Sequence, residues 1–240
     1  MKKPILLLFL GVLFSISSLS GQTQKHLWSF GLGDGEGDND EVTALAQHPT
    51  GDILTAGFFE GYLDFDADTG KALRSAVGQE NLYLARYSPS GDLRWVSTAT
   101  SSRGVEPQAI ALDSSNNVYV TGFFLEEVDF TPQQPGGKIF GATANNADAF
   151  LAKFNDSGQL LWAQALSGNS IDFGADLVVK SNQEIVLLGH FSDTLILDSA
   201  QSTTSTLISA GAGDVFLAGF NPQGQWQWAT HLPGTGFDNS

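Results

Sequence analysis

The chain has 240 residues, with 11 Lys and Arg against 26 Asp and Glu, and a formal net charge of −15 at pH 7. Because binding to nucleic-acid phosphates depends on clustered Lys and Arg, this balance argues against a nucleic-acid partner. The 27 glycines and 11% aromatic residues indicate a folded chain rich in strands and turns, and the absence of cysteine excludes disulfides and thiol nucleophiles.

The first twenty residues have the pattern of a secretory signal peptide. Lys2 and Lys3 precede a short apolar run at residues 5–16, and Ser18 and Ser20 supply small residues before a cleavage point after residue 20. The apolar run is shorter than a comfortable bilayer span, although an uncleaved anchor is the alternative. We therefore expect an exported protein, extracellular or on the cell surface, with the periplasm as an alternative. We expect no transmembrane segment in the mature chain.

Residues 21–240 contain an internal repeat. Trp28, Trp95, Trp162 and Trp228 are 67, 67 and 66 residues apart. Two further markers recur at nearly the same spacing: TAGFF, VTGFF and LLGHF, and then LYLARY, AFLAKF and VFLAGF. A shared period in three markers predicts repeated structural units. Their approximate bounds are residues 28–94, 95–161 and 162–227, with the start of a fourth unit at 228–240.

Each unit reads as four short strands joined by tight turns. In the first unit these are VTALAQ, ILTAGFF, LYLARY and LRWVSTA, with a less regular segment before LYLARY. In the third strand Tyr83, Ala85 and Tyr87 share one face, because side chains at i and i+2 point the same way. The pattern predicts an all-β protein, a partial β-propeller of three four-stranded blades plus the start of a fourth. Tandem small β-sandwiches are the alternative.

Two segments of the second unit carry a family resemblance. AIALDSSNNVYVTGFF and DAFLAKFNDSGQLLWAQAL resemble the bacterial seven-bladed-propeller-type repeats called SBBP repeats. The resemblance covers nearly all of residues 28–240 and is weakest in the third unit. It implies an exported β-propeller and no catalytic residues that could be transferred to this chain.

Two segments look like unit junctions. GLGDGEGDNDE (31–41) connects the closing strand of one unit to the first strand of the next, and it lacks the final Glu of an EF-hand loop. After Trp228, ATHLPGTGFDNS repeats the same junction. Three units are few for a closed propeller, so we expect a truncated or partial chain with further blades beyond Ser240.

Asp64, Asp66 and Asp68 alternate in DFDADTG, a spacing that allows three carboxylates to converge on Ca²⁺. The segment is similar to the calcium loops of integrin-type propellers, but Thr69 and Ala72 replace the expected glycine and final acid. The alternative is a polar strand end and turn. No other cofactor is predicted.

We expect structural roles for the remaining candidate residues. We expect Trp28, Trp95, Trp162 and Trp228 to brace adjacent units, as in the tryptophan-docking turns of quinoprotein-type propellers that they resemble. The four histidines have no metal-ligand spacing, and no GxSxG elbow is present.

These observations favour a non-catalytic secreted or surface propeller that acts as a scaffold or binding module for a protein or glycan. A propeller-fold polysaccharide-active enzyme is one alternative. It requires acids that differ between units, such as Glu60, Glu126, Glu127 and Asp172, to meet in a central pocket. A calcium-stabilised adhesin is the other alternative.

Overall fold

The computed structural model describes residues 39–66, 72–132, 139–142, 146–198 and 204–234, and within these ranges it contains 18 β-strands and no helix. The prediction of an all-β protein is confirmed. Trp28, Asp68 and the signal-peptide segment lie outside the described residues.

Twelve of the strands form three four-stranded antiparallel meanders, as the repeat predicts. Blade 1 contains β1 (Glu41–Gln47), β2 (Ile53–Phe59), β5 (Asn81–Tyr87) and β6 (Leu93–Ser101). Blade 2 contains β7 (Val105–Leu112), β8 (Val118–Leu125), β11 (Ala147–Phe154) and β12 (Leu160–Gly168). Blade 3 contains β13 (Asp172–Val179), β14 (Ile185–Phe191), β17 (Asp214–Phe220) and β18 (Trp226–Leu232).

Each blade also carries an inserted hairpin between its second and third strands, where the sequence indicated only a less regular segment. The hairpins are β3 (Tyr62–Asp64) with β4 (Leu73–Ser75), β9 (Glu127–Asp129) with β10 (Ile139–Gly141), and β15 (Thr194–Asp198) with β16 (Thr204–Ile208). The hairpin of blade 2 extends the sheet of blade 1 through a β6–β9 pairing, and the hairpin of blade 3 extends blade 2 through β12–β15. These insertions therefore link consecutive blades.

Adjacent blades share their hydrophobic cores. Alternation along β5 directs Leu82 and Leu84 towards blade 2, while Tyr83 and Ala85 pack in a separate cluster on the opposite face. One core joins residues of blades 1 and 2, and a second joins blades 2 and 3. Shared cores identify stacked sheets and differ from tandem sandwich domains, in which each domain would enclose its own core.

A bulge recurs in the last strand of every blade. The pairing register shifts beside Arg94, Leu161 and Gln227, each of which immediately precedes a repeat tryptophan. The bulge places Trp95 opposite Arg86, Trp162 opposite Lys153 and Trp228 opposite Gly219. Because a bulge re-aims the side chains beside it, this irregularity contributes to the orientation of the tryptophans.

Candidate functional site

Two of the repeat tryptophans reach from their own blade to a turn of the next. The indole Nε1 of Trp95 donates to the main-chain oxygen of Asp156 at 3.0 Å, and Trp162 Nε1 donates to the oxygen of Pro222 at 3.1 Å. Neighbouring polar side chains reinforce these contacts, because Ser97 Oγ donates to Gly158 O and Gln164 Nε2 to Gly224 O. Each of these tryptophans therefore joins two consecutive blades.

The turns that receive the tryptophans require glycine. Gly158 has φ of 79° and Gly224 has φ of 81°, a left-handed conformation that side chains disfavour. A Cβ added to Gly158 would lie 2.6 Å from Trp95 Cε3, and one added to Gly224 would lie 3.0 Å from Trp162 Cε3. The glycine in each SGxxxW or related turn thus allows both the turn and the close approach of the indole ring.

Trp228 makes a different contact. Its Nε1 donates to Glu184 Oε1 within blade 3 at 2.7 Å, and its ring lies over Gly219, where a Cβ would be 2.2 Å from Nε1. The tryptophans of blades 1 and 2 therefore share an inter-blade geometry that Trp228 does not adopt.

A buried charged cluster lies beside the Trp95 contact. Arg86 Nε donates to Asp52 Oδ2 at 2.8 Å, and Arg86 Nη1 donates to a carboxylate oxygen of Asp156. His48 Nδ1 lies 3.2 Å from Arg86 Nη2, while His48 Nε2 lies 3.1 Å from Asp156 Oδ1. His48 Nδ1 also lies 2.7 Å from Thr50 Oγ1, whereas His48 Nε2 is buried beside the Asp156 carboxylate without forming a hydrogen bond.

This cluster forms the floor of an open cavity of about 510 Å³ between blades 1 and 2. Arg94 and Asp156 line its accessible part, with side chains 54% and 52% exposed. Its lining residues are Thr50, Asp52, Arg86, Pro89, Arg94, Trp95, Asp156 and Ser157. Two guanidinium groups and two carboxylates thus surround one aromatic side chain, and we call this cavity the inter-blade pocket.

The junction of blades 2 and 3 has a simpler arrangement at the same repeat position. Lys153 replaces Arg86, with its Nζ 3.4 Å from Asp113 Oδ2 and 4.8 Å from the centroid of the Tyr119 ring. Asp113 is also held by Asn117, and these hydrogen bonds help to keep the pKa of Asp113 below its ordinary value against the opposing effect of burial. Pro222 stands where Asp156 stands one unit earlier, so this junction lacks the second carboxylate.

Among the described carboxyl groups, Asp172 and Glu106 have the most strongly raised pKa values. Burial raises the pKa of Asp172 to about 9, with the Asp148 carboxylate adding to the effect, and both side chains are fully buried. Burial also raises the pKa of Glu106 to about 7, helped by the charges of Glu80 and Glu41. Both groups therefore hold a proton more readily than an exposed carboxyl.

The acids that differ between units occupy dissimilar surroundings. Glu126 accepts from Ser102 Oγ at 2.8 Å and lies 3.6 Å from Arg103, whereas Glu127 is exposed on β9. Partial burial, together with the charge of Glu60, raises the pKa of Glu80, and Asp172 is buried at the start of β13. The enzyme alternative stays a prediction, with Glu106 as a carboxyl that the sequence analysis did not select.

The predicted calcium loop is described in part. The backbone N–H of Asp66 donates to Asp64 Oδ1 at 3.0 Å, which closes a local turn. Across the described ranges, no three histidine or acidic side chains form a group suited to a metal ion. The calcium prediction remains untested, since Asp68 lies outside the described residues.

The sequence analysis selected the tryptophans but did not select Arg86, Asp52, Asp156 or His48. Aligning the units shows the available signal: Arg86, Lys153 and Gly219 share one position, as do His48, Asp113 and Lys180. The residue at each of these two positions changes from unit to unit, which indicates that the units have diverged there. The pocket itself depends on two blades meeting, which no single repeat reveals.

Among the comparisons with known proteins, one distant sequence match supports a propeller-like repeat fold and no more. No protein-family model matches the chain. It is 24% identical over 174 residues to an uncharacterized WD repeat-containing protein of Acanthamoeba polyphaga mimivirus, a match that covers 69% of this chain and 12% of that protein. A solved structure of a protein of unknown function from Bacteroides caccae shares 9% identity at a TM-score of 0.29, covering 86% of this chain and 85% of that one. Membership of the SBBP family stays a prediction.

No helix in the described part of the chain is long and apolar enough to cross a membrane.

Proposed function

We propose that this chain belongs to an exported, non-catalytic β-propeller of the SBBP type, which binds a neutral glycan in the inter-blade pocket. The N-terminal pattern of residues 1–20 supports export, and the repeat supports a rigid framework. The observation that carries the binding proposal is the inter-blade pocket, an open cavity of about 510 Å³ lined with charged groups. Cavities with a few convergent polar groups are the usual place for ligands.

The chemistry of the pocket favours a neutral, hydroxyl-rich ligand. Two arginines, Arg86 and Arg94, are balanced by Asp52 and Asp156, so the lining has no excess charge. Guanidinium groups donate and carboxylates accept in fixed directions, which suits sugar hydroxyls that do both. The net charge of −15 would repel acidic polymers, which leaves neutral sugars as the better match.

The test compares Arg94→Ala with the wild-type chain in titration calorimetry against a panel of neutral oligosaccharides. Arg94 is chosen because its side chain is half exposed, so its loss should leave the blade packing intact. We expect binding by the wild type and at least about a tenfold weaker affinity for Arg94→Ala, equivalent to about 1.4 kcal/mol.

The matched control is Lys180→Ala, because Lys180 is a similarly exposed cation that pairs with Glu184 on blade 3. This variant should bind as the wild type does. The proposal fails if no neutral oligosaccharide binds, or if both variants lose affinity equally. Chromatography of the same mixtures tests the enzyme alternative, which predicts shortened oligosaccharides.

A further inference from the structure

A second cavity, of about 190 Å³, lies at the same blade junction as the inter-blade pocket. Its walls include Ser97 and Thr98 of β6, the segment 130–132 that follows β9, and the turn 157–160 that leads into β12. We call it the hairpin pocket, because residues 130–132 belong to the inserted hairpin of blade 2. Both cavities are thus built from blades 1 and 2.

The two cavities adjoin each other at the docked tryptophan. Trp95 lines the inter-blade pocket, and Gly158 lines the hairpin pocket. These two residues are in close contact, since a Cβ added to Gly158 would lie 2.6 Å from Trp95 Cε3. Ser157 lines both cavities and is exposed. An extended ligand that crosses Ser157 can therefore occupy both cavities at once.

The hairpin pocket offers neutral groups, because none of the described residues that line it is charged. Gln159 Oε1 accepts from Asn155 Nδ2 at 2.9 Å. The Gln159 Nε2 group and the Thr98 hydroxyl have no hydrogen-bond partner within the described ranges. Pro132 and Leu160 are half-buried and add apolar surface. Neutral donors beside apolar surface match a sugar ring, which carries hydroxyls at its edge and C–H groups on its faces.

The residues of the first junction explain why space is left there. At the second junction, three of the equivalent repeat positions carry larger side chains: Gln164 in place of Ser97, Gln223 in place of Ser157 and Trp226 in place of Leu160. Because protein interiors are closely packed, smaller side chains at fixed strand positions leave a cavity. The hairpin pocket is therefore a feature in which this junction departs from the repeat.

We propose that the ligand of the inter-blade pocket is a neutral oligosaccharide of at least two units, which crosses Ser157 and places a further unit in the hairpin pocket. This inference rests on the proposed function and adds a second subsite to it. In the inter-blade pocket, Arg94 and Asp156 bind sugar hydroxyls through charged groups. In the hairpin pocket, Thr98 and Gln159 donate through neutral groups. Affinity therefore depends on the length of the sugar chain.

A length series tests the second subsite. Gluco-, manno- and xylo-oligosaccharides of one to six units are titrated into the full chain by calorimetry, with competition against a longer sugar for weakly bound single units. We expect the longer sugars of the recognised series to bind at least about tenfold more tightly than the single unit. A second occupied subsite is the reason for this gain.

Gln159→Ala removes a donor from the hairpin pocket. Gln159 is exposed, so its replacement should leave the blade packing intact. Because a neutral hydrogen bond changes affinity by about two- to tenfold, we expect at least about threefold weaker binding of the longer sugars. Affinity for the single unit should stay within about twofold of the wild-type value. Arg94→Ala should instead weaken the binding of every length.

The matched control is Gln225→Ala, at the same position in the turn of blade 3. Gln225 Oε1 accepts from Asn221 Nδ2 at 2.8 Å, so this variant loses the same local bond as Gln159→Ala. It should bind sugars of every length as the wild type does. Ser157→Gln is a second test, because the blade 3 turn already carries Gln223 at this position. A larger side chain at the crossing point should also reduce the gain with length.

The outcomes separate the second subsite from the proposed function. Equal affinity for all lengths overturns the second subsite and leaves the proposed function standing. A gain with length that survives in both Gln159→Ala and Ser157→Gln has the same consequence. An equal loss in Gln225→Ala also contradicts the subsite, since it assigns the effect to the turns. If no sugar of any length binds, the proposed function and the second subsite are both overturned.

Discussion

The two blade junctions share the tryptophan contact but differ in the polar groups beside it. Between blades 1 and 2, Arg86 binds two carboxylates and adjoins His48 at the floor of the inter-blade pocket. Between blades 2 and 3, Lys153 meets one carboxylate and the face of Tyr119. An arginine can engage two carboxylates through separate nitrogens, whereas a lysine presents a single ammonium. The tryptophan contact is thus common to both junctions. The residue paired with the tryptophan, Arg86 or Lys153, determines how many carboxylates are bound there.

The largest difference between the junctions should appear when the cation is removed. Arg86→Ala leaves the buried Asp52 carboxylate without its main partner, which typically costs about 3–5 kcal/mol. Lys153→Ala should cost less, because Asp113 keeps its hydrogen bonds from Asn117 and Ser115. Urea unfolding of both variants measures the two losses. Equal losses would show that the junctions depend on their cations to the same degree.

A smaller difference in stability is expected between the variants of Trp95 and Trp162, which contact the next blade, and the variant of Trp228. Trp95→Ala and Trp162→Ala remove an indole that packs on and donates to the next blade, so we expect each to destabilise the chain by about 2–3 kcal/mol. Trp228→Ala should cost less than about 1 kcal/mol, since its indole bonds within its own blade at a more exposed position. Thermal unfolding gives the comparison, and a similar loss for all three would contradict an inter-blade role.

The smallest expected effect, when measured over a single pH unit, is the pH dependence that Asp172 contributes. Asp172 has a folded-state pKa of about 9 against an ordinary value of 3.8, so the folded chain holds the extra proton between these values. Stability therefore falls as pH rises from about 4 to 9, with a slope of at most about 1.4 kcal/mol per pH unit. Asp172→Asn should remove the contribution of Asp172 to this slope, so the stability of the variant relative to the wild type should increase between pH 6 and 7.

Val105 provides the control for that experiment, because it occupies the position of Asp172 one unit earlier. Replacing Val105 with the similarly sized Thr adds no titratable group and should leave the slope of the wild type unchanged. Unfolding midpoints in urea at pH 6 and 7 measure both variants. A slope in Asp172→Asn as steep as that of the wild type would assign the pH dependence to other groups, of which Glu106 is the first candidate.

The repeat alone predicted the all-β class and the four strands of each blade, because period, alternation and glycine turns are local properties of the chain. It did not predict the inserted hairpins. Their strands are as short as three residues, and they are stabilised by pairing with β6 and β12 of the preceding blade. A segment whose partner lies in another unit carries little signal of its own.

The sequence by itself determined the spacing of Trp95, Trp162 and Trp228, and with it the repeated bulge and turn of each blade. Only the tertiary structure decided that the first two dock on the following blade while Trp228 turns back to Glu184. It also decided that Arg86, Asp52 and Asp156, which are far apart along the chain, meet around one pocket. The physical reason is that turn and strand formation depend on neighbouring residues, whereas charges converge only where two blades pack together.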